Sequence, residues 1–194
     1  MGDRSYDTAP EFRKLSRRDI PDITQHLLRL DPITRHSRFG VSVKDGFIRH
    51  YAERTVAADT LVFGAFVDGK LCAIGELRGL FSGWRQNAEI AVSVEPDWQG
   101  KGIGSTLFSR LVTASQNRGI KSLHILFLNE NKRMQSISAK HNPELHFENG
   151  QVEAKLNPAW ATPMSLTSEI ADDASAYVRH LFQLATSKRV RPHI

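Results

Sequence analysis

The chain has 194 residues, of which 40% are hydrophobic and 24% charged, a balance typical of one globular domain with a substantial core. Its formal net charge of +5 comes from 26 basic and 21 acidic residues. These charges are spread along the chain, so they suit an anionic ligand but do not by themselves indicate nucleic-acid binding. The single cysteine, Cys72, excludes an intramolecular disulfide and a zinc site built on paired cysteines.

The N-terminal stretch MGDRSYDTAPEF lacks the apolar core of a secretion signal, and Tyr6 breaks the myristoylation pattern. No apolar run approaches the length needed to cross a bilayer. We therefore expect a cytoplasmic protein whose partners include neither a membrane nor nucleic acid.

A short strand and a helix are predicted at the beginning of the chain. Phe12–Leu15 is strand-like, and a helix begins near Ser16 or Asp19, which can cap it. The helix has one apolar face, formed by Ile20, Ile23, Leu27 and Leu30. Asp31-Pro32 ends the helix, and a basic cluster follows, formed by Arg35, His36 and Arg38. This cluster is either a solvated surface or the edge of a substrate site.

Asp45–Ala57 is predicted to form a further helix, and a hairpin follows it. The stretches 60–67 and 70–80 are strand-like, and Asp68-Gly69 between them is a strong signal for a two-residue turn. Two antiparallel strands therefore precede the central part of the chain.

The stretch 87–119 is predicted to form a strand, a glycine-rich turn and a helix. The strand has apolar residues at alternate positions: Ile90, Val92 and Val94. The turn contains three glycines at alternate positions: Gly100, Gly102 and Gly104. Such glycines let the backbone approach an anion, at which the free amides and dipole of the next helix point. The spacing fits neither a dinucleotide-binding motif nor a P-loop, and a turn without a ligand is the alternative.

The last third of the chain is predicted to begin with a buried strand, Leu123–Leu128, and a helix at about 131–140. A hairpin turns at Asn149-Gly150, and residues 158–163 form a linker. The amphipathic helix expected at 168–186 has an apolar stripe that packs on its own domain or forms a dimer surface.

The string Gln99-x-x-Gly102-x-Gly104, after the strand AEIAVSVEPDW, resembles the coenzyme A motif of the GNAT superfamily of acyl-CoA N-acyltransferases. The likeness covers roughly residues 60–156, about half of the chain. It implies an α/β GNAT fold, with a mixed, mostly antiparallel central sheet flanked by helices. The expected domains are a GNAT acetyltransferase domain at 1–157 and, at 158–194, a linker, a C-terminal amphipathic helix and a basic tail.

The resemblance also implies where acetyl-CoA binds as co-substrate. Amides of the central strand would hold the pantetheine arm, and amides of the glycine loop would hold the pyrophosphate. An Asn at the start of the next helix would also contact coenzyme A, although a plain helix cap is the alternative. The residues implied are Val92, Ser93, Val94, Gln99, Gly100, Lys101, Gly102, Ile103, Gly104, Ser105 and Asn131. No metal is expected, because the histidines show no metal-ligand spacing.

Two features depart from the family pattern. Many GNAT enzymes have a Tyr seven residues after that Asn, which protonates the leaving thiolate, but this chain has Ser138. The usual Gly-Phe at the end of the helix is replaced by Asn142-Pro143. The group that protonates the thiolate therefore stays open. The phrase LDPITRHSRF is also similar to the corresponding segment of bacterial protein-acetyltransferase-type GNAT domains.

Acetyl transfer to an amine requires a proton acceptor, because a Lys-type amine has a pKa of about 10.4 and attacks a thioester only when neutral. Glu89 lies at the start of the cofactor strand, where partial desolvation would favour proton uptake, and some GNAT enzymes carry their general base there. An ion pair with a neighbouring Arg or Lys is the alternative role. Glu76 is the second candidate, but Arg78 on the same face favours an ion-paired structural role.

The resemblance implies an N-acetyltransferase that moves an acetyl group from acetyl-CoA to a primary amine, either a small molecule or a protein lysine. One alternative is a non-catalytic acyl-CoA-binding regulatory module, which the missing Tyr makes conceivable. Another is an interaction subunit that uses the C-terminal helix, and a homodimer is compatible with either reading.

Overall fold

A computed structural model describes residues 9–79, 86–171 and 174. Its strands are β1 (Glu11–Lys14), β2 (Thr60–Val67), β3 (Lys70–Arg78), β4 (Asn87–Val94), β5 (Ser122–Leu128), β6 (Glu144–Glu148) and β7 (Gln151–Leu156). Its helices are α1 (Ile20–Arg29), α2 (Pro32–Phe39), α3 (Asp45–Thr55), α4 (Ile103–Asn117) and α5 (Lys132–Ala139). Residues 163–171 are also helical. The rest of the helix expected at 168–186 lies outside the described residues, apart from residue 174.

The strands form one seven-stranded sheet in the order β1-β2-β3-β4-β5-β7-β6. Among the described strands, only β4 and β5 pair in parallel, and every other pairing is antiparallel. This is the mixed, mostly antiparallel sheet that the resemblance implies, and the predicted fold class is confirmed. Both predicted two-residue hairpin turns are present, with their residues in the left-handed conformation that such turns require: Asp68, Gly69, Asn149 and Gly150.

The two faces of the sheet are covered by different helices, because side chains of a strand alternate between faces. On one face α4 packs its apolar side, which includes Leu107, Phe108 and Leu111. On the other face α1 and α3 contribute fully buried residues, which include Ile23, Leu27 and Ile48. The close approach of α4 requires a glycine in β3, because a Cβ at Gly75 would lie 2.9 Å from Leu111 Cδ1.

The parallel strands β4 and β5 pair at one end and separate toward the other. This separation leaves part of the edge of β4 unpaired. Paired residues run only from Asn87 to Glu89 on β4 and from Ser122 to His124 on β5. From Ile90 to Val94, β4 pairs with β3 but not with β5. One edge of this part of β4 is therefore open to a ligand.

Asp31-Pro32 ends the first helix as predicted, but it also begins α2, which the sequence does not predict. The Asp31 side chain accepts a hydrogen bond from the backbone N–H of Thr34 at 2.7 Å, and Pro32 occupies the first turn. Gly40, with a φ of 72°, ends α2. The basic cluster therefore lies on a helix, and all three of its residues are partly buried.

The C-terminal helical residues pack against the end of α4 through a polar contact. The Glu169 carboxylate pairs with Arg118 at 3.0 Å and with Lys14 at 3.2 Å, and it accepts from the Asn117 amide at 2.7 Å. The polar side of this part of the helix therefore contacts its own domain, whereas Ile170 of the predicted apolar stripe is 68% exposed. Within the described residues, no helix is long and apolar enough to span a membrane, and no group of acidic, His or Cys side chains could hold a metal ion.

Candidate active site

A cavity of about 790 Å³ occupies the opening between β4 and β5. One wall is Ile90–Val94 and the facing wall is Ile125–Leu128. The glycine loop closes one end, and side chains of α2 and α3 surround the other. The volume lies within the range of small-molecule and cofactor sites, about 300–1,000 Å³.

The glycine loop presents backbone rather than side chains to the cavity. Gly100 and Gly102 have φ values of 76° and 80°, a conformation that favours glycine. Gly102 directly precedes α4, and no side chain of a described residue caps the free amides of the first turn. These amides and the positive end of the helix dipole therefore form a site that is suited to an anion.

Gly104 and Gln99 hold the glycine loop close to β4 and to the helices α2 and α5. A Cβ on Gly104 would lie 3.3 Å from Ile137 Cδ1 and 3.4 Å from Val94 Cγ2, so a larger residue would fill the space between α4, α5 and β4. The Gln99 amide donates to the Val94 carbonyl at 2.9 Å and to the Thr34 hydroxyl at 3.2 Å. The loop is thus tied to both β4 and α2.

All but two of the predicted cofactor residues line the cavity. The exceptions are Ile103, whose side chain is buried in the core, and Lys101, whose ammonium lies 4.5 Å from the centre of the Trp98 ring. Asn131 caps α5 by accepting from the Met134 N–H at 3.1 Å, and its amide nitrogen has no partner among the described residues. The cap and a ligand contact are therefore compatible at Asn131. The binding role of all these residues stays a prediction.

The two candidate catalytic carboxylates lie on the same face of the sheet but in different environments. Glu89 is exposed and lines the cavity, and it forms no ion pair with a described residue. Glu89 is therefore more exposed than expected from the sequence, and it is the last β4 residue that pairs with β5. Glu76 is fully buried and lies outside the cavity lining.

Glu76 is held by three donors. Arg38 Nη2 donates to Oε1 at 2.6 Å, Tyr51 donates to Oε2 at 2.7 Å, and Arg78 Nε donates to Oε2 at 3.0 Å. Burial raises the pKa of Glu76, and the charge of Arg38 opposes this effect. Burial also lowers the pKa of Arg78, to about 10, together with the neighbouring charge of Arg38. This geometry supports the ion-paired structural role for Glu76.

Of the two roles that the sequence left open for the basic cluster, the structure does not show a solvated surface, because all three residues are partly buried. Arg38 is buried in the Glu76 network and lines the cavity, whereas Arg35 pairs with the exposed Asp45 at 2.8 Å. The sequence signal for Arg38 is its presence in a cluster after the first helix. Nothing in the sequence pairs it with Glu76, which is 38 residues away.

Residues 25–139 match the profile of the "Acetyltransferase (GNAT) family", which is more than half of the chain. The chain belongs to the GNAT acetyltransferase family. The open edge of β4 and the glycine loop at α4 therefore lie where the family resemblance placed the acyl-CoA site. Comparison with curated protein sequences finds no match.

Solved structures share the GNAT fold at low sequence identity. The GNAT domain of S. lividans PAT is 18% identical, with a TM-score of 0.65 over 75% of this chain and 89% of that one. The PaiA N-acetyltransferase from Thermoplasma acidophilum, solved with coenzyme A, is 19% identical, with a TM-score of 0.58 over 77% and 99%. The ribosomal-protein-S18-alanine N-acetyltransferase from Escherichia coli is 15% identical, with a TM-score of 0.60 over 80% and 97%.

This GNAT chain has a buried polar network behind β4 that the sequence does not predict. His26 on α1 is fully buried, with Nδ1 at 3.2 Å from the Glu95 carboxylate and Nε2 at 2.9 Å from the Ser93 hydroxyl. A neutral imidazole fits both contacts, donating from Nδ1 and accepting at Nε2. Arg29 also donates to Glu95, at 2.9 Å. The network fixes α1 to the strand segment whose other side borders the cavity.

Burial lowers the pKa of His26, and this effect outweighs the opposing hydrogen bond to Glu95. Burial alone would raise the pKa of Glu95, but the hydrogen bonds from His26 and Arg29 lower it. Below the ordinary histidine pKa of about 6.5, the unfolded chain therefore takes up a proton at His26 that the folded chain does not. Stability from this group is present above that pH and is lost as the pH falls.

We expect the free energy of unfolding to fall as the pH is lowered from 6.5 to 5. His26 contributes up to about 1.4 kcal/mol per pH unit to the slope of this fall. His26→Gln removes this contribution, so its slope will be shallower than that of the unsubstituted protein. Urea unfolding at several pH values measures the slopes. The exposed His50, on α3, provides the matched control, and His50→Gln should keep the original slope. A His26→Gln slope as steep as the original would contradict this account.

Ser138, at the position of the family's Tyr, is buried and does not line the cavity. Its hydroxyl donates to the Met134 carbonyl at 2.9 Å and lies 3.1 Å from the Gln135 carbonyl. We therefore expect Ser138→Ala to lower kcat by less than tenfold, or about 1.4 kcal/mol, with water or another side chain protonating the thiolate. Steady-state rates test this, and a loss of a hundredfold would place Ser138 in the proton path.

Proposed function

We propose that the protein transfers an acetyl group from acetyl-CoA to a primary amine by direct attack on the thioester. The observation that carries this proposal is the open edge of β4 from Ile90 to Val94, which leads along one cavity to the amides of the glycine loop. Coenzyme A matches these features of the site. Its long thiol arm contains amide groups that can pair with a strand edge, and the arm ends in a charged pyrophosphate that can bind the loop amides. The PaiA N-acetyltransferase was solved with coenzyme A, which supports the same ligand class here.

In this proposal the pyrophosphate binds the N-terminus of α4, where Gly100 and Gly102 leave the amides uncovered. The pantetheine arm pairs with backbone groups of Val92–Val94, in the place that β5 would occupy if the strands stayed together. The thioester carbonyl then lies near the amides of Val92 or Ser93, which can stabilise its developing negative charge.

The amine reacts from the end of the cavity that contains Glu89. Glu89 accepts a proton from the ammonium group, directly or through a water, and the neutral nitrogen attacks the carbonyl carbon. The new C–N bond forms, the C–S bond breaks, and the attacking nitrogen loses its second proton to water. The thiolate of coenzyme A takes up one proton from water or from another side chain, so the protons balance. Its exposed position lets Glu89 exchange the proton with solvent after each turnover.

Release of free thiol from acetyl-CoA, with and without a panel of primary amines, tests the proposal. The panel contains amino acids, polyamines and lysine peptides, and we expect release that depends on at least one amine. Calorimetry with coenzyme A is run on the same protein. Binding without amine-dependent release would favour the non-catalytic acyl-CoA-binding module, and absence of binding would overturn the cofactor assignment as well.

A further inference from the structure

The end of the cavity beyond Glu89 contains two arginines that share one carboxylate. Arg38 and Arg78 both pair with Glu76, and both line the cavity. Three charges, two positive and one negative, therefore lie together in a largely buried cluster. Glu89 on β4 lies close enough for its charge to raise the pKa of Arg78, so the four charges balance until Glu89 takes up a proton. The cluster then carries a net positive charge, which favours an anionic partner.

Both guanidinium groups keep donors for such a partner. Arg38 is 93% buried and makes its hydrogen bonds through Nη2 alone, to Glu76 and Tyr51, while its buried Nε has no partner among the described residues. Arg78 uses Nε and Nη2 for Glu76 and leaves Nη1 without a described partner. A buried donor without a partner costs about 1–3 kcal/mol. Arg38 Nε is closed to solvent, as are the unpartnered Arg35 Nε and His36 Nδ1, so the donor that a ligand in the cavity meets first is Arg78 Nη1, with Arg38 beside it.

Three aromatic rings stand beside these donors. Phe39 packs edge-on against Phe47 and Tyr51, with ring centres 5.5 Å and 5.1 Å apart, and all three line the cavity. Phe47 is nevertheless 48% exposed, which is uncommon for a large apolar side chain in a packed cluster. The same end of the cavity therefore offers an apolar surface next to its positive charge.

The anion-binding donors and the proton acceptor lie side by side. Arg78 on β3 and Glu89 on β4 are directly paired residues of antiparallel strands, and their side chains point to the same face. Cβ atoms of such a pair lie about 4.5–5.5 Å apart. A molecule whose amine faces Glu89 and whose carboxylate faces Arg78 therefore needs only a short separation between its two charged groups.

We propose that the acceptor is a free α-amino acid with an apolar side chain, acetylated on its α-amino group. The free N–H groups of Arg78 and Arg38 bind its carboxylate, Glu89 takes the amine proton, and Phe39 and Phe47 contact its side chain. This inference rests on the proposed function. A lysine side chain in a peptide has no carboxylate next to its amine and would leave the two guanidinium groups without a partner.

The test compares matched amines with the full-length protein and acetyl-CoA: phenylalanine, phenylalaninamide, 2-phenylethylamine and a lysine peptide blocked at both ends. We expect kcat/KM for phenylalanine to exceed each of the others by at least tenfold. Equal or higher values for the amide, the simple amine or the peptide would overturn the amino-acid assignment while leaving the acetyltransferase function in place. No release with any amine would overturn the proposed function itself.

Arg78→Met tests which residue sets the preference. The ratio of kcat/KM for phenylalanine to that for 2-phenylethylamine should fall to within about threefold of unity, and Arg78→Lys, which keeps the charge, should restore part of it. Arg49→Met changes an exposed arginine of α3 outside the cavity and should keep the original ratio. A ratio unchanged in Arg78→Met would overturn the assignment of the carboxylate to Arg78. If that variant fails to fold, the substrate panel alone decides the inference.

Discussion

Replacing Glu89 with Gln will lower kcat by about 100- to 10,000-fold while acetyl-CoA affinity stays unchanged. Gln keeps the shape of the side chain but cannot accept the proton of the amine. Glu89 is the exposed one of the two candidate carboxylates and the one that lines the cavity, so it can reach both substrate and solvent. Steady-state thiol release gives kcat, and calorimetry gives the affinity. The acidic limb of the pH–rate profile should also move or disappear.

Two further variants sharpen this test. Glu53→Gln changes a carboxylate of α3 that is 69% exposed and outside the cavity, and its kcat should stay unchanged. Glu76→Gln should change kcat less than about fivefold, well below the loss expected on removing a general base. It should lower stability, because it removes the charge that pairs with the buried Arg38 and the partly buried Arg78. If Glu76→Gln loses the rate and Glu89→Gln does not, the base is Glu76. If neither loses rate, the amine arrives already neutral.

Gly102→Val will weaken the binding of coenzyme A by at least about 100-fold, which is equivalent to roughly 2.7 kcal/mol. Apart from its chain neighbours, no described residue has an atom within 4 Å of the Cβ position at Gly102, so the valine would extend into open space before α4. In the proposed complex the pyrophosphate occupies that space. Calorimetry on the folded variant measures the effect.

The control for this prediction separates backbone strain from loss of the ligand site. Gly69 has a φ of 75°, close to the 80° of Gly102, and its Cβ position is equally open, but it lies in the β2–β3 turn. Gly69→Val should therefore cost similar stability through strain while leaving coenzyme A affinity unchanged. Equal affinity for Gly102→Val and the unsubstituted protein would remove the pyrophosphate from the glycine loop.

The cavity and the exposed position of Glu89 depend on one feature of the sheet. Because β5 leaves β4 after Glu89, the backbone beyond this residue is free for a cofactor, and the Glu89 side chain itself becomes exposed. Glu76, one strand away on β3, remains covered by α2 and α3 through Arg38 and Tyr51. Two carboxylates on one face thus differ in exposure, which favours the proposal that they differ in role.

The sequence by itself determined the local elements of this protein. Alternating apolar residues predicted β4, three closely spaced glycines predicted the loop before α4, and Asp-Gly and Asn-Gly predicted the two hairpin turns. These features depend on backbone conformations that particular residues favour within a few positions of one another. The coenzyme A motif is equally local, which is why the family could be predicted from it.

Only the tertiary structure decided how distant residues meet. The contact of His26 with Ser93 spans 67 residues, and that of Arg38 with Glu76 spans 38. It also decided that β5 leaves β4 after Glu89, since the sequence of each strand predicts a strand but not where its pairing ends. Local preferences carry no information on such contacts, because these depend on how helices pack across the sheet and on which strand edges stay unpaired.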